Sequence, residues 1–262
     1  MYDFSFQSPA SAADAASALG AAEDGKILAG GQTLLPTMKQ RLAMPSDLIS
    51  LKGCRDLVGI SSDGSTLTIG AMTTHGAVAA STEVAKAIPA LSALAGGIGD
   101  PQVRNRGTLG GSLANNDPAA DYPAAVLGLG ATVVTTKREI AADDYFQGMF
   151  ETALDDDEII TAVRFPIPQA AGYAKFDNPA SRYALVGVFV AKTAAGPRVA
   201  VTGAGQGGVF RASDIEGQIA SGQEPNSASI DEGELNGDIH ASPAYRKHLI
   251  GVMAKRALAS AG

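Results

Sequence analysis

One cysteine, Cys54, stands in 262 residues, with three histidines and no tryptophan. A lone thiol closes no disulfide within the chain, and an iron–sulfur cluster held here would need several more thiolates. His75, His240 and His248 make no convincing zinc set with it. Redox chemistry in this chain therefore calls for an organic cofactor. Positive charge is also short: 20 Lys and Arg face 27 Asp and Glu, a net charge of -7 with no basic stripe. That composition argues against nucleic acid or an anionic membrane surface as partner. No apolar run reaches the length of a bilayer-spanning helix, and MYDFSFQSPAS lacks the basic start and apolar core of a signal peptide. The expected location is cytoplasmic, without membrane insertion. What the chain does have is 45 % hydrophobic residues, enough for one large domain or two to three small ones.

Periodicity and turn signals predict a helix over 10–19, a strand at 26–29, a Gly-Gly turn, a helix through LLPTMKQRLA and a strand ending at Leu51. A second segment opens with TLTIGA at 66–71, continues through helices including one over 81–95, and resumes strands at ATVVTT and EIITAVRFPIP. Pro166, Pro168 and QAAG mark a boundary near residue 170. Beyond it, YALVGVFVAK and RVAVTGA, joined by TAAGP, predict an antiparallel hairpin that gives way to helices. The last helix is expected from Ser242 as N-cap and Pro243 at the first helical position to Ala259, with an apolar face at 249, 250, 253 and 257.

Three glycine-rich stretches compete as a phosphate site. Gly203, Gly205 and Gly208 have the G-x-G-x-x-G spacing of a Rossmann turn, but that turn requires a helix starting at the glycines. Here the helix signal starts at Ser213, where Ser213 and Glu216 form a capping-box pattern, and too little chain follows for the remaining strands. These glycines read as a turn ending a hairpin strand. ILAGGQTLLP has the required strand–glycine–helix context and reads equally as a phosphate cradle or an ordinary turn. RNRGTLGGSLANNDPAAD offers glycines for close backbone approach, then hydroxyls, amides and carboxylates. Asp117 is expected to cap a helix running through Ala124, and Asp121, four residues on, to contact a ligand. His75 is expected to pack or cap, Arg104 and Arg106 to pin the loop through carbonyls, and Cys54 to be a small buried hydrophobe.

AGGQTLLP followed downstream by RNRGTLGGSLANNDPAAD resembles the flavin-binding medium subunit of molybdenum hydroxylases, the group of carbon monoxide dehydrogenase and xanthine dehydrogenase. The resemblance extends through TIGAMTTH, DDEIITAVRFP and YAKFDNPASRYALVGV, nearly the whole chain. It implies an α+β fold: a two-part FAD-binding domain of the PCMH type over 1–170, with pieces of about 1–54 and 55–170, then a C-terminal domain over 171–262 built on a small antiparallel sheet with helices.

By position, the resemblance implies that Ala29, Gly30, Gly31, Gln32, Thr33 and Leu34 cradle the FAD pyrophosphate, joined by Gly107, Thr108, Gly111, Ser112 and Ala114. It places Ile98 and Val103 near the cofactor, Asp121 on a ribitol or flavin-side hydroxyl, Ile160 at a backbone contact, Lys175 on the flavin or its phosphates, and Tyr183 beside the isoalloxazine ring. Without the resemblance, Lys175 reads as a solvated strand lysine and Tyr183 as a core aromatic. Thr33 stands where serine is frequent, and Ser112 where asparagine also occurs. No cysteine cluster suggests an extra iron–sulfur centre in this chain. The implied function is electron transfer without catalytic side chains of its own. Electrons come from a large molybdenum-cofactor subunit through 2Fe–2S clusters in a small subunit and leave to an external acceptor, in a dimer of heterotrimers. A self-contained flavin reductase and a non-catalytic nucleotide-binding module are the alternatives. NAD, oxygen and a quinone are all open as acceptors, and the substrate pocket lies in another chain.

Overall fold

The first 57 residues build a small parallel sheet. In the computed structural model, which describes residues 1–261, β1 (Ser5–Gln7), α1 (Ala12–Ala21), β2 (Gly25–Leu28), α2 (Leu34–Lys39) and β3 (Asp47–Ser50) follow one another. Both β1 and β2 pair in parallel with β3. The expected strand–glycine–helix–strand unit is present, with β1 added at the edge. Ser11 caps α1 by accepting the Asp14 amide, and Ala12 and Ala15 pack with Ile49, Leu51, Cys54 and Leu57. The sole cysteine is thus a buried packing residue, 1 % exposed.

The next sheet is antiparallel and out of chain order. β4 (Ile60–Ser62) and β5 (Thr66–Gly70) precede the helices α3 (His75–Ala80), α4 (Thr82–Ala87), α5 (Pro89–Gly96), α6 (Pro101–Arg104), α7 (Leu109–Asn115) and α8 (Tyr122–Leu129). Then come β6 (Thr132–Thr135), β7 (Glu139–Ala141), α9 (Ala142–Tyr145), the short pair β8 (Phe146–Gly148) and β9 (Glu151–Thr152), and β10 (Ile160–Pro166). The sheet order β4-β5-β10-β6-β7 puts β10 in the middle. The single helix expected over 81–95 is two, because Pro89 has no amide to donate and forces Ile88 out of helical geometry. The cap expected at Asp117 is also different. Asp117 Oδ1 accepts the Ala119 amide at 2.9 Å in a turn, and α8 starts only at Tyr122, so Asp117 and Asp121 share no helix face.

The third sheet has four strands, not two: β11 (Ala170–Asp177), β12 (Ala184–Thr193), β13 (Gly196–Gly205) and β14 (Gly208–Arg211), all antiparallel. The expected β12–β13 hairpin is its centre. Gly203 lies in β13 at a register shift, Gly205 ends that strand and pairs with Gly208, which opens β14, so these glycines do end a hairpin strand as expected, but a further strand follows them before the helix. α10 (Ser213–Ala220) has no side-chain cap: the Glu216 carboxylate accepts the Val199 amide and the Arg211 guanidinium instead of closing a box on Ser213. α11 (Pro243–Ser260) is capped by Ser242 as expected, and Leu249, Ile250, Met253 and Ala257 are buried.

Packing crosses the junction near residue 170. Every residue of α8 is buried; Phe189, Ala191 and Ala200 of the third sheet join its core, while α11 covers the sheet's other face. That explains eight consecutive buried residues in β12, where a half-solvated strand would alternate.

Candidate functional site

The two glycine loops, from different sheets, meet. In the first, between β2 and α2, Gly31 has φ +73°, a conformation that turns successive amides toward one side. An added Cβ on Gly30 would lie 2.2 Å from the Arg106 carbonyl oxygen, so the loops touch backbone to backbone. Among the described residues, the amides of Gly30, Gly31, Gln32, Thr33 and Leu34 donate to no protein acceptor, and the first helical return bond is Leu35 N–H to Gly31 O at 3.3 Å. Five successive unpaired donors at a helix start are an arrangement that suits an anion.

The second loop is clipped to the end of β5. The Leu109 amide donates to Thr73 O at 3.1 Å, Gly110 to Ala71 O at 2.8 Å, and His75 to Gly107 O at 2.9 Å. Thr108 caps α7, its Oγ1 accepting the Gly111 amide at 3.1 Å. Arg104 Nη1 donates to the carbonyls of Ile98 and Gly99, pinning the turn before the loop as expected; no such bond forms from Arg106 among the described residues.

Between the loops runs one cleft of about 650 Å³, within the range of small-molecule sites. Ala29, Gly30, Gly31, Gln32, Thr33 and Leu34 line it from the first loop, and Gly107, Thr108, Gly111, Ser112 and Ala114 from the second. Ile98, Val103, Asp121, Ile160 and Tyr183 join them in the wall, with Tyr183 43 % exposed. Lys175 is not in the wall. Its side chain is buried behind Asp121, with Nζ 3.1 Å from Oδ1. Sequence reasoning missed Met72, Gly99, Ser181 and Arg182, which also line the cleft. Arg182, at φ +61°, turns the loop after β11 toward it, and nothing in its residue type signals that bend.

Two buried titratable groups face this region. Burial, aided by Arg104, depresses the His75 imidazole to about 4; the ring lies 5.3 Å from that of Tyr122. Burial pushes the Asp121 carboxyl up, against the pull of Lys175 and of the Tyr173 hydroxyl. Among the described residues no group of three or more His, Cys, Asp or Glu could hold a metal ion, and no helix is long and apolar enough to cross a membrane.

Comparison with known proteins meets this geometry. Residues 2–168 match the family described as FAD binding domain in molybdopterin dehydrogenase. The chain is 38 % identical to the nicotine 6-hydroxylase medium subunit of Paenarthrobacter nicotinovorans, over 98 % of this chain and 96 % of that one. It is 35 % identical to the carbon monoxide dehydrogenase medium chain of Afipia carboxidovorans, over 97 % and 95 %. Among solved structures, reconstituted CO dehydrogenase from Oligotropha carboxidovorans superposes with TM-score 0.90 at 33 % identity, covering 99 % of this chain and 97 % of that one. Quinoline 2-oxidoreductase from Pseudomonas putida 86 gives 0.88 at 30 %, covering 99 % and 96 %. The chain belongs to the FAD-binding medium subunits of the molybdopterin dehydrogenases, flavoprotein components of oxidoreductases.

Proposed function

We propose that the chain holds FAD in the cleft between the two glycine loops and serves as the electron-transfer subunit of a larger assembly. The observation that carries this reading is the run of five unpaired amides from Gly30 to Leu34, directly across from the second loop. They suit a diphosphate, which needs several donors and a positive dipole end and carries no group of its own to donate. Thr108 and Ser112 add hydroxyls beside them, Ile98, Val103 and Ile160 add an apolar wall for a flat ring, and Asp121 adds an acceptor for a hydroxyl or N–H. Residues of this kind bind and orient; bound FAD supplies the ring that takes up and gives out electrons. In this reading the electrons arrive from 2Fe–2S clusters of a small subunit, fed by a large molybdenum-cofactor subunit, and leave to an external acceptor. Relatives that are themselves medium chains or complex subunits support it.

Titrating the purified chain with FAD while following flavin fluorescence tests the first half: saturable quenching at one FAD per chain is expected. A chain that stays colourless and cannot be loaded refutes it. Isolating the native assembly tests the second half. Two further chains, one rich in cysteine, are expected; a lone chain that reduces acceptors by itself would establish a self-contained reductase instead.

A further inference from the structure

Asp121 stands at the start of α8, 4 % exposed, and its carboxylate is held from behind. The Tyr173 hydroxyl donates to Oδ1 at 2.6 Å, and Lys175 Nζ lies 3.1 Å from the same oxygen. Both come from β11, two residues apart and so on one face of the strand. Among the described residues no protein group donates to Oδ2, and Asp121 lines the cleft.

Lys175 has little left to offer a ligand. Besides Asp121, Nζ meets the carbonyls of Gly97 and Arg182 at 3.0 Å each and Asp177 Oδ1 at 3.1 Å. Four oxygens share its three N–H donors. The Tyr173 hydroxyl, by contrast, has one acceptor and a fitted place. A Cβ on Gly187 of the neighbouring strand β12 would lie 2.5 Å from the phenolic oxygen, so the glycine leaves the space the hydroxyl fills.

Resting on the reading of the cleft as the FAD site, we propose that Tyr173 is a positioning residue for cofactor binding. Its hydroxyl, with Lys175, occupies Oδ1 of Asp121 and so presents Oδ2 to the cleft as an acceptor for a hydroxyl or N–H group of FAD.

The groups around Asp121 set the sign of the pH effect. Burial disfavours its charge, and Asp177 on β11 adds to that; Lys175 and Tyr173 on the same strand favour it. Tyr122 on α8 and Tyr183 after β11 are neutral neighbours whose own ionisation is held back by burial and by Asp121. α5 contributes only the Gly97 carbonyl. Removing the Tyr173 hydroxyl takes away one of two supports for an already disfavoured charge, so the carboxyl titrates higher. Only the ionised carboxylate accepts at both oxygens without donating. FAD affinity in Tyr173→Phe is therefore expected to fall as pH falls and to recover toward wild type as pH rises.

The test is equilibrium FAD binding by the full chain, followed by flavin fluorescence from mildly acidic to mildly alkaline pH, with circular dichroism as the folding control. Tyr173→Phe is expected to bind about tenfold or more weakly than wild type at the acidic end, the scale of a lost bond to a charged group, and within about twofold at the alkaline end. Gly187→Ala, which crowds the hydroxyl off its place, is expected to give the same pH-dependent signature and stands in if Tyr173→Phe does not fold. Wild-type affinity at every pH, or a loss by the same factor at every pH, overturns the proposal. Asp121→Asn separates the underlying reading: it is expected to weaken FAD without pH dependence. If it binds like wild type, or if the wild-type chain takes up no FAD, the reading of the site fails and the proposal with it.

Discussion

Replacing Gly30 with alanine adds one methyl group where the two glycine loops meet. The new Cβ would lie 2.2 Å from the Arg106 carbonyl oxygen and 2.8 Å from Gly107 Cα. Both obstacles are backbone, and Gly107 is tied to His75 by a 2.9 Å hydrogen bond, so neither can swing away as a side chain can. Relief to an ordinary contact requires the loops to part by roughly 1.2–1.8 Å. Overpacking of this kind costs about 1–3 kcal/mol, and when the strain falls on a binding geometry that is roughly a 5- to 150-fold loss of affinity. We expect Gly30→Ala to bind FAD roughly 10- to 100-fold more weakly, measured by fluorescence titration and by the flavin content of freshly purified protein. Gly20→Ala is the control: at the end of α1, an added Cβ meets nothing within 4 Å, and FAD binding should not change. Wild-type affinity in Gly30→Ala would refute the argument that the contact between the loops sets the cofactor's place.

Thr108→Val keeps the shape but removes the cap of α7; a loss of about 0.5–2 kcal/mol is expected in urea unfolding, with Thr108→Ser close to wild type. His75 has its imidazole depressed to about 4 by burial and by Arg104, against about 6.5 when unfolded. The folded state therefore binds fewer protons between those values. Its stability is fully present above about pH 6.5 and is lost as pH falls toward 4, by about 3 kcal/mol in total. Denaturation midpoints across this window should fall more steeply for wild type than for His75→Gln, and parallel curves would contradict the assignment. Burial, then Asp56 and Asp14, raises the Cys54 thiol, so it should ignore a thiol reagent in the folded chain and react at the rate of unfolding; fast labelling of native protein would disprove its burial.

Local signals in the sequence carried the parts of the fold that obey local rules. The Ser242–Pro243 start of α11, the β12–β13 hairpin around TAAGP, and the glycines between β2 and α2 all announce themselves within a few residues. Elements whose reason is tertiary did not. β11 and β14 are legible only once β12 and β13 exist to pair with, and Glu216 has the spacing of a capping box but finds a better partner in Arg211 and the Val199 amide. The same division holds at the cleft. Ordered motifs pointed to the two loops, whereas Tyr173, 52 residues from Asp121, could be linked to it only by the packing of β11 against the start of α8. Gly187 was the one local trace of that contact, a glycine within the apolar run from Ala184 to Ala191.

The central place of β10 fixes when the cleft can come into being. Gly70 pairs with Ala162 and the Ala71 amide with Thr161 O, so a strand made early waits for one made much later. Both glycine loops leave the ribosome before that partner does, and at about 5–20 residues per second the interval is on the order of seconds. During it β5 has an open edge and the wall that Ile160 supplies does not exist. On the proposed reading of the cleft, FAD capture waits for β10, and a nascent chain stopped short of it is expected to have two glycine loops but no complete pocket between them.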